Sequence, residues 1–101
     1  MSFPWSIDIN REGSKVVFDP AALDASVNDE ISWSNNDDKA HWPGLTETAT
    51  GPVTDAQFFM EHEIVADDSS DAFRPGATGT LFYACSLHQT ERGQINVDAG
   101  P

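Results

Sequence analysis

Short segments of alternating apolar and polar residues, each ended by turn-forming residues, constrain the fold of this chain more than any other feature. WSIDIN alternates Ile7 and Ile9 with polar neighbours, and EISWSN repeats the pattern with Ile31 and Trp33. A period of two is typical of strands that bury one face, and no stretch carries the 3.6-residue stripe of an amphipathic helix. The pattern predicts an all-β fold, an antiparallel Greek-key β-sandwich of about seven to eight strands.

Two segments in the middle of the chain carry weaker signals. QFFMEHEIV, residues 57–65, is interpreted as a strand whose one face carries Phe58, Met60, His62 and Ile64. HWPGLTETATGPVTDA, residues 41–56, contains two prolines and two glycines and is predicted to be a long loop. Long loops in compact domains often carry function, so the second segment is a candidate part of a site.

Length and charge limit the classes of protein that the chain can belong to. Its 101 residues leave room for one core, so we assign residues 1–101 to a single domain. Seventeen acidic residues against five basic ones give a net charge of −12, which argues against nucleic acid or an anionic membrane as a partner. No apolar run reaches the roughly 18 residues of a membrane span. The charge is explained by solubility, or alternatively by docking of a basic partner.

The single cysteine lies in YACSLHQTERGQINV, residues 83–97, and excludes an internal disulfide. Cys85 precedes His88 by three residues, and thiolate with imidazole suits copper or zinc. A third ligand must come from elsewhere in the chain. His41 follows the strand EISWSN and can lie at the same end of a sandwich, whereas His62 lies among apolar residues of a predicted strand. Of the two histidines, His41 is therefore the better candidate, and His41, Cys85 and His88 together would make a His2Cys metal site.

Three chemistries are compatible with these residue types. A His2Cys set with a weak axial donor is the donor set of electron-transfer copper. Zinc prefers a fourth strong ligand, which Glu91 can supply three residues after His88. A Cys85–His88 nucleophile pair is the catalytic alternative, but no Asn or Asp follows that would orient the imidazole. We therefore assign no catalytic residue.

Two longer segments resemble the cupredoxins, a family of small copper proteins. VVFDPAALDASVNDEISWSNNDDKAHW resembles the family's F-x-P segment and the strand that ends in W-x-N before the first ligand histidine. GTLFYACSLHQTERGQINV resembles the Y-x-C-x-x-H loop, followed by a glycine and the last strand. The resemblance runs from Val16 to Val97 and is weakest between residues 43 and 71. It implies one copper ion per chain, with His41, Cys85 and His88 as ligands.

The loop is most similar to that of the plastocyanin- and amicyanin-like cupredoxins, but two positions differ. Glu91 stands where the pattern C-x-x-H-x-x-M-R-G has the axial methionine, so we expect Glu91 to be the fourth ligand. An anionic oxygen would lower the reduction potential and give a green or red colour. The alternatives are water, the Gln89 amide or no axial ligand. Trp42 replaces the family's asparagine after the first histidine, which leaves only its backbone N–H to contact the Cys85 sulfur.

The resemblance implies a one-electron carrier and not an enzyme. His88 would be the electron port, with Leu87 and Trp42 on an apolar rim where a redox partner protein docks. A basic partner would be attracted by VADDSSD, residues 65–71. We expect a monomer in the periplasm or outside the cell. MSFPWSIDIN has no basic or apolar signal region, so we expect the export signal to have been removed already. The alternatives are an open copper site that binds a small ligand, and a metal-free interaction module.

Overall fold

The computed structural model describes residues 3–100, apart from the side chains of residues 54–58, 88 and 89. The described residues form eight strands: β1 (Pro4–Glu12), β2 (Lys15–Asp19), β3 (Ala22–Ser26), β4 (Glu30–Asn35), β5 (Pro43–Thr46), β6 (Val53–Phe58), β7 (Gly79–Cys85) and β8 (His88–Asp98). One sheet has the order β2-β1-β4 and the other the order β3-β8-β7-β5-β6. The prediction of an all-β sandwich with about seven to eight strands is confirmed. Within residues 3–100, no helix is long and apolar enough to cross a lipid bilayer.

The alternating residues of the sequence line the space between the two sheets. Ile7 and Ile9 of β1 and Ile31 of β4 are fully buried from one sheet, and Ile95 of β8 is fully buried from the other. Their polar neighbours on the same strands are more exposed, as the pleat of a strand requires. Burial of this apolar face is the main force that holds the two sheets together.

Strand pairing is mixed, so the expectation of a purely antiparallel sandwich was wrong for two pairs. β1 runs parallel to β4, with Ile7 opposite Trp33. β3 runs parallel to β8, with Leu23 opposite Ile95. Alternation determines which face of a strand is buried, but it carries no information about the direction of the neighbouring strand. Only the connections between the sheets decide that direction.

The two predictions for residues 41–65 were also wrong. The expected long loop over residues 41–56 contains β5 and the first four residues of β6. Pro43 occupies the first position of β5, where a missing N–H is tolerated. The expected strand over residues 57–65 ends early: β6 stops at Phe58, whose side chain lies outside the described residues. Ile64 is buried and pairs with His41 in an isolated bridge, but His62 is exposed in a bend.

An aromatic cluster packs the core next to the end of the sandwich where β4 and β7 terminate. The ring centroid of Trp33 lies 4.9 Å from that of Phe59 and 5.6 Å from that of Tyr83. Trp33 precedes Asn35 by two residues on β4, and Tyr83 precedes Cys85 by two residues on β7. The rigid cluster therefore supports the residues at which both strands end.

Candidate metal centre

The pairing of β5 with β7 brings His41 to Cys85. Pro43 is directly opposite Cys85, so the residues just before β5 lie beside the end of β7. His41 Nδ1 is 3.5 Å from Cys85 Sγ, and both side chains are fully buried. The backbone N–H of Trp42 donates to the same sulfur at 3.4 Å, as the sequence predicts.

Asn35 fixes the loop between β4 and His41. Its side-chain amide donates to the carbonyl oxygens of Lys39 at 2.7 Å and Ile64 at 2.9 Å. Its side-chain oxygen accepts a hydrogen bond of 2.9 Å from the backbone N–H of Asp37. The backbone of His41 exchanges hydrogen bonds with Ile64 at 2.8 and 3.0 Å. Because these bonds are buried or partly buried, they hold the backbone of His41 in place before any ligand binds.

An irregularity in the β7–β8 ladder coincides with the inward position of Glu91. Ala84 is opposite Arg92, whereas Cys85 is opposite His88, so residues 89–91 fall between these two pairs. Glu91 Oε1 lies 3.1 Å from His41 Nδ1, and its side chain is only 13% exposed. One ligand atom each from His41, Cys85 and Glu91 lies within 4.8 Å of the others. A bulge commonly redirects a side chain in this way at functional sites.

The other residues considered as ligands are His88, Gln89 and His62. The backbone of His88 begins β8, but its side chain lies outside the described residues, and so does that of Gln89. His62 is exposed, and the cluster found among the described residues does not contain it. The structure therefore brings together three of the four predicted ligands.

Ser86 connects the two loops of the centre. Its backbone N–H and its hydroxyl donate to the carbonyl oxygen of Trp42, at 2.9 and 3.0 Å. The sequence predicts only a backbone contact from Trp42 to the Cys85 sulfur and no further connection between the two loops. A serine one residue after the cysteine supplies such a connection, although the sequence pattern did not single Ser86 out.

A partly buried ion pair behind His41, between Arg11 and Asp37, was not predicted from the sequence. His41 Nε2 lies 2.8 Å from Asp37 Oδ2. Arg11 donates to both oxygens of the same carboxylate, from Nε at 2.7 Å and from a terminal nitrogen at 3.0 Å. The hydrogen bonds from Arg11 outweigh burial and hold the pKa of Asp37 well below its usual range. In the sequence, Asp37 could not be distinguished from its neighbour Asp38, which is exposed.

The charges around His41 determine its protonation in the metal-free protein. Burial lowers the pKa of His41, but hydrogen bonds to Cys85 and Asp37 and the charges of Cys85 and Glu91 raise it, to a net value of about 9. A proton is therefore held in the cluster at neutral pH, with Asp37 on one side of the ring and Cys85 and Glu91 on the other. Buried groups that attract one positive charge this strongly form a suitable environment for a metal cation.

The donor set fits a copper or zinc ion. Thiolate selects soft metals, imidazole suits copper and zinc, and a carboxylate adds a harder anionic oxygen. The three donors come from the loop before β5, the end of β7 and the start of β8, and buried or partly buried hydrogen bonds hold this loop, so the chain provides a preorganised partial coordination sphere.

A groove outside the centre reaches Glu91. It has a volume of about 480 Å³ and lies between the β1–β2 hairpin and the start of β8. Lys15 and Arg92 line it together with Phe18 and Glu91. Two of the five basic residues of a strongly acidic chain are thus beside one candidate ligand.

Comparison with solved structures identifies the fold. A purple cupredoxin from Nitrosopumilus maritimus superposes with a TM-score of 0.77 at 18% identity, over 92% of this chain and 98% of that protein. The Cu(I) form of an amicyanin variant gives 0.69 at 18% identity, over 96% of this chain and 82% of amicyanin. A second, reduced amicyanin variant gives 0.70 at 18% identity, over 94% and 82%. No protein-family model and no curated protein matches the chain. The protein has the cupredoxin fold, as its sequence predicts.

Proposed function

We propose that this protein is a mononuclear copper protein that carries single electrons. One copper ion per chain would be held by His41, Cys85, His88 and Glu91. The observation that carries the proposal is the buried convergence of the His41 imidazole, the Cys85 thiol and the Glu91 carboxylate at one end of a cupredoxin fold. The similar solved structures are named as a purple cupredoxin and as Cu(I) amicyanin, which supports copper over zinc.

Each residue has a distinct part in this proposal. The bound copper would supply the one-electron couple between Cu(II) and Cu(I). Cys85 provides the soft anionic donor, and the N–H of Trp42 directs a positive dipole at its sulfur. Glu91 adds a negative oxygen, which favours Cu(II) and gives a low reduction potential. The hydrogen bonds of Asn35 and Ser86 limit movement of the two loops, so little reorganisation accompanies electron transfer.

We also propose a docking face for a basic redox partner at this end of the molecule. Asp67 and Asp68 exchange backbone hydrogen bonds with Asn35, at 3.0 and 2.8 Å, and their side chains are exposed. Leu87, in the turn between β7 and β8, is 46% exposed. An apolar contact beside negative charge suits a transient complex with a cationic protein. The protein would act as a monomeric, non-enzymatic, single domain over residues 1–101, in the periplasm or outside the cell.

The groove beside Glu91 favours a second candidate function. Lys15 and Arg92 would attract a small anion, and the groove leads to the carboxylate that we propose as a ligand. If Glu91 can be displaced, an exogenous anion would bind at the copper for redox or sensing chemistry.

Copper titration of the metal-free protein, followed by optical and EPR spectroscopy of the Cu(II) form, tests the proposal. We expect one copper per chain, an intense thiolate-to-copper charge-transfer band and a reversible one-electron cycle in voltammetry. Spectral changes on addition of azide would favour the ligand-binding function. Failure to retain stoichiometric copper would support the metal-free interaction module instead.

A further inference from the structure

We infer that Asp37 is a positioning residue that fixes the His41 ring by its Nε2 atom and increases the preference of the centre for Cu(II). The inference rests on the proposed copper function. It assigns to Arg11 the role of holding Asp37 in place through two hydrogen bonds to its carboxylate.

The two nitrogens of His41 face different groups. Nδ1 is directed at Cys85 Sγ and Glu91 Oε1, at 3.5 and 3.1 Å. Nε2 is 2.8 Å from Asp37 Oδ2, and a carboxylate can only accept a hydrogen bond from it. Nε2 therefore keeps its proton, and Nδ1 is the nitrogen available to a metal.

Asp37 itself is held by Arg11 and by Asn35. Arg11 forms two hydrogen bonds in the fork geometry that guanidinium and carboxylate groups share. The backbone N–H of Asp37 donates to Asn35, as described above. The Asp37 side chain is 1% exposed, so solvent does not screen its charge as it does for the side chain of Asp38, which is 83% exposed. The carboxylate thus acts on His41 from one fixed position.

A carboxylate that accepts the second N–H of a ligating histidine makes the imidazole a stronger donor and fixes its orientation. The effect is larger for the ion of higher charge, so Cu(II) gains more than Cu(I). Arg11 compensates part of the negative charge but leaves Oδ2 as an acceptor shared with His41. Asp37 would lower the reduction potential, as Glu91 would, but it would act from the opposite side of the His41 ring.

Asp37→Asn and Asp38→Asn form a matched pair for the test. Both substitutions remove one carboxylate charge near Arg11, but only Asp37 contacts His41. We expect Asp37→Asn to weaken Cu(II) binding by about 10- to 100-fold, the usual effect of losing such a partner. Cu(I) binding should weaken less, so the potential should rise by about 59 mV for each tenfold difference. Asp38→Asn should behave as wild type. Equal shifts in the two variants would overturn the inference.

A measurement on the wild-type protein covers the case in which Asp37→Asn does not fold. In the metal-free and Cu(I) forms, the Nε2–H of His41 should give an NMR signal that exchanges slowly with water and couples to Nε2. A proton found on Nδ1 of the Cu(I) form, or a rapidly exchanging Nε2–H, would contradict the inference. Stoichiometric copper binding by wild type and Asp38→Asn tests the proposed function separately, since it does not depend on Asp37.

Discussion

His41 Nδ1 lies 3.5 Å from Cys85 Sγ, although the two residues are 44 positions apart in the chain. The contact exists because β5 pairs with β7 and the loop before β5 is fixed by Asn35. An apolar pair would stabilise the core better than a buried thiol and imidazole do. Core packing therefore does not explain why these two groups are buried together. We propose that the two groups serve instead as metal ligands.

Replacement of Cys85 should remove the characteristic spectrum. Cys85→Ser exchanges a soft thiolate for a poor hydroxyl donor, so the intense visible charge-transfer band should disappear and copper affinity should fall. Absorption and EPR spectra of copper-loaded protein check this. Retention of an intense visible band in the serine variant would contradict the assignment of Cys85 as a ligand.

The two histidines whose side chains are described should behave differently when replaced. His41→Ala opens a space beside Cys85, so the visible spectrum should be lost and then partly restored by added imidazole. His62→Ala should leave spectrum and copper stoichiometry unchanged, because His62 is exposed and outside the cluster. A loss of the spectrum only in the His62 variant would show that the placement is wrong.

Glu91 should set a low reduction potential if it coordinates copper. Glu91→Gln removes the negative charge and Glu91→Met introduces a thioether, so both should raise the potential, by about 59 mV for each tenfold loss of preference for Cu(II). The methionine variant should also be bluer. Voltammetry at low and high salt distinguishes coordination from a remote charge, whose effect salt screens. Identical absorption envelopes in all three proteins would exclude Glu91 as a ligand.

The metal-free protein should hold a proton on His41 up to alkaline pH. NMR titration should give a midpoint near the pKa of about 9, above the ordinary value of 6.5, and Glu91→Gln should lower it. Because the folded pKa is the higher one, protonation stabilises the metal-free fold fully below about pH 6.5, and this contribution is lost as pH rises through about 9. Copper binding at pH 7 should release this proton. A midpoint at or below 6.5 would refute the electrostatic account of the site.

Gly93 should be required for packing beside the centre. A Cβ at this position would overlap the ring and hydroxyl of Tyr83, which is opposite Gly93 in the ladder. Gly93→Ala should therefore destabilise the protein by about 1–3 kcal/mol in urea unfolding. Gly76→Ala is the matched control, because nothing lies within 4 Å of its added methyl group, and its effect should stay within about 0.5 kcal/mol. Equal stability of the two variants would show that Tyr83 can move aside.

The residues that line the core could be predicted from the sequence. Ile7, Ile9, Ile31 and Trp33 follow a period of two, which is the pattern of a half-buried strand. It also indicated His41, Cys85, His88 and Glu91, because few thiol and imidazole groups are present and their spacing resembles a known loop. These signals are local, so a single stretch of chain can carry them.

The tertiary structure alone decided the remaining features. Three features of the strands depend on neighbours that are distant in the chain. They are the parallel direction of β1 and β4, the short β5 that starts at Pro43, and the early end of β6. The same holds for Asp37, which differs from Asp38 only in what surrounds it. Arg11, which lies 26 residues earlier in the chain, and His41 meet at Asp37, whereas Asp38 stays in solvent. No local pattern records that choice, because burial and electrostatic pairing are properties of the assembled sheets.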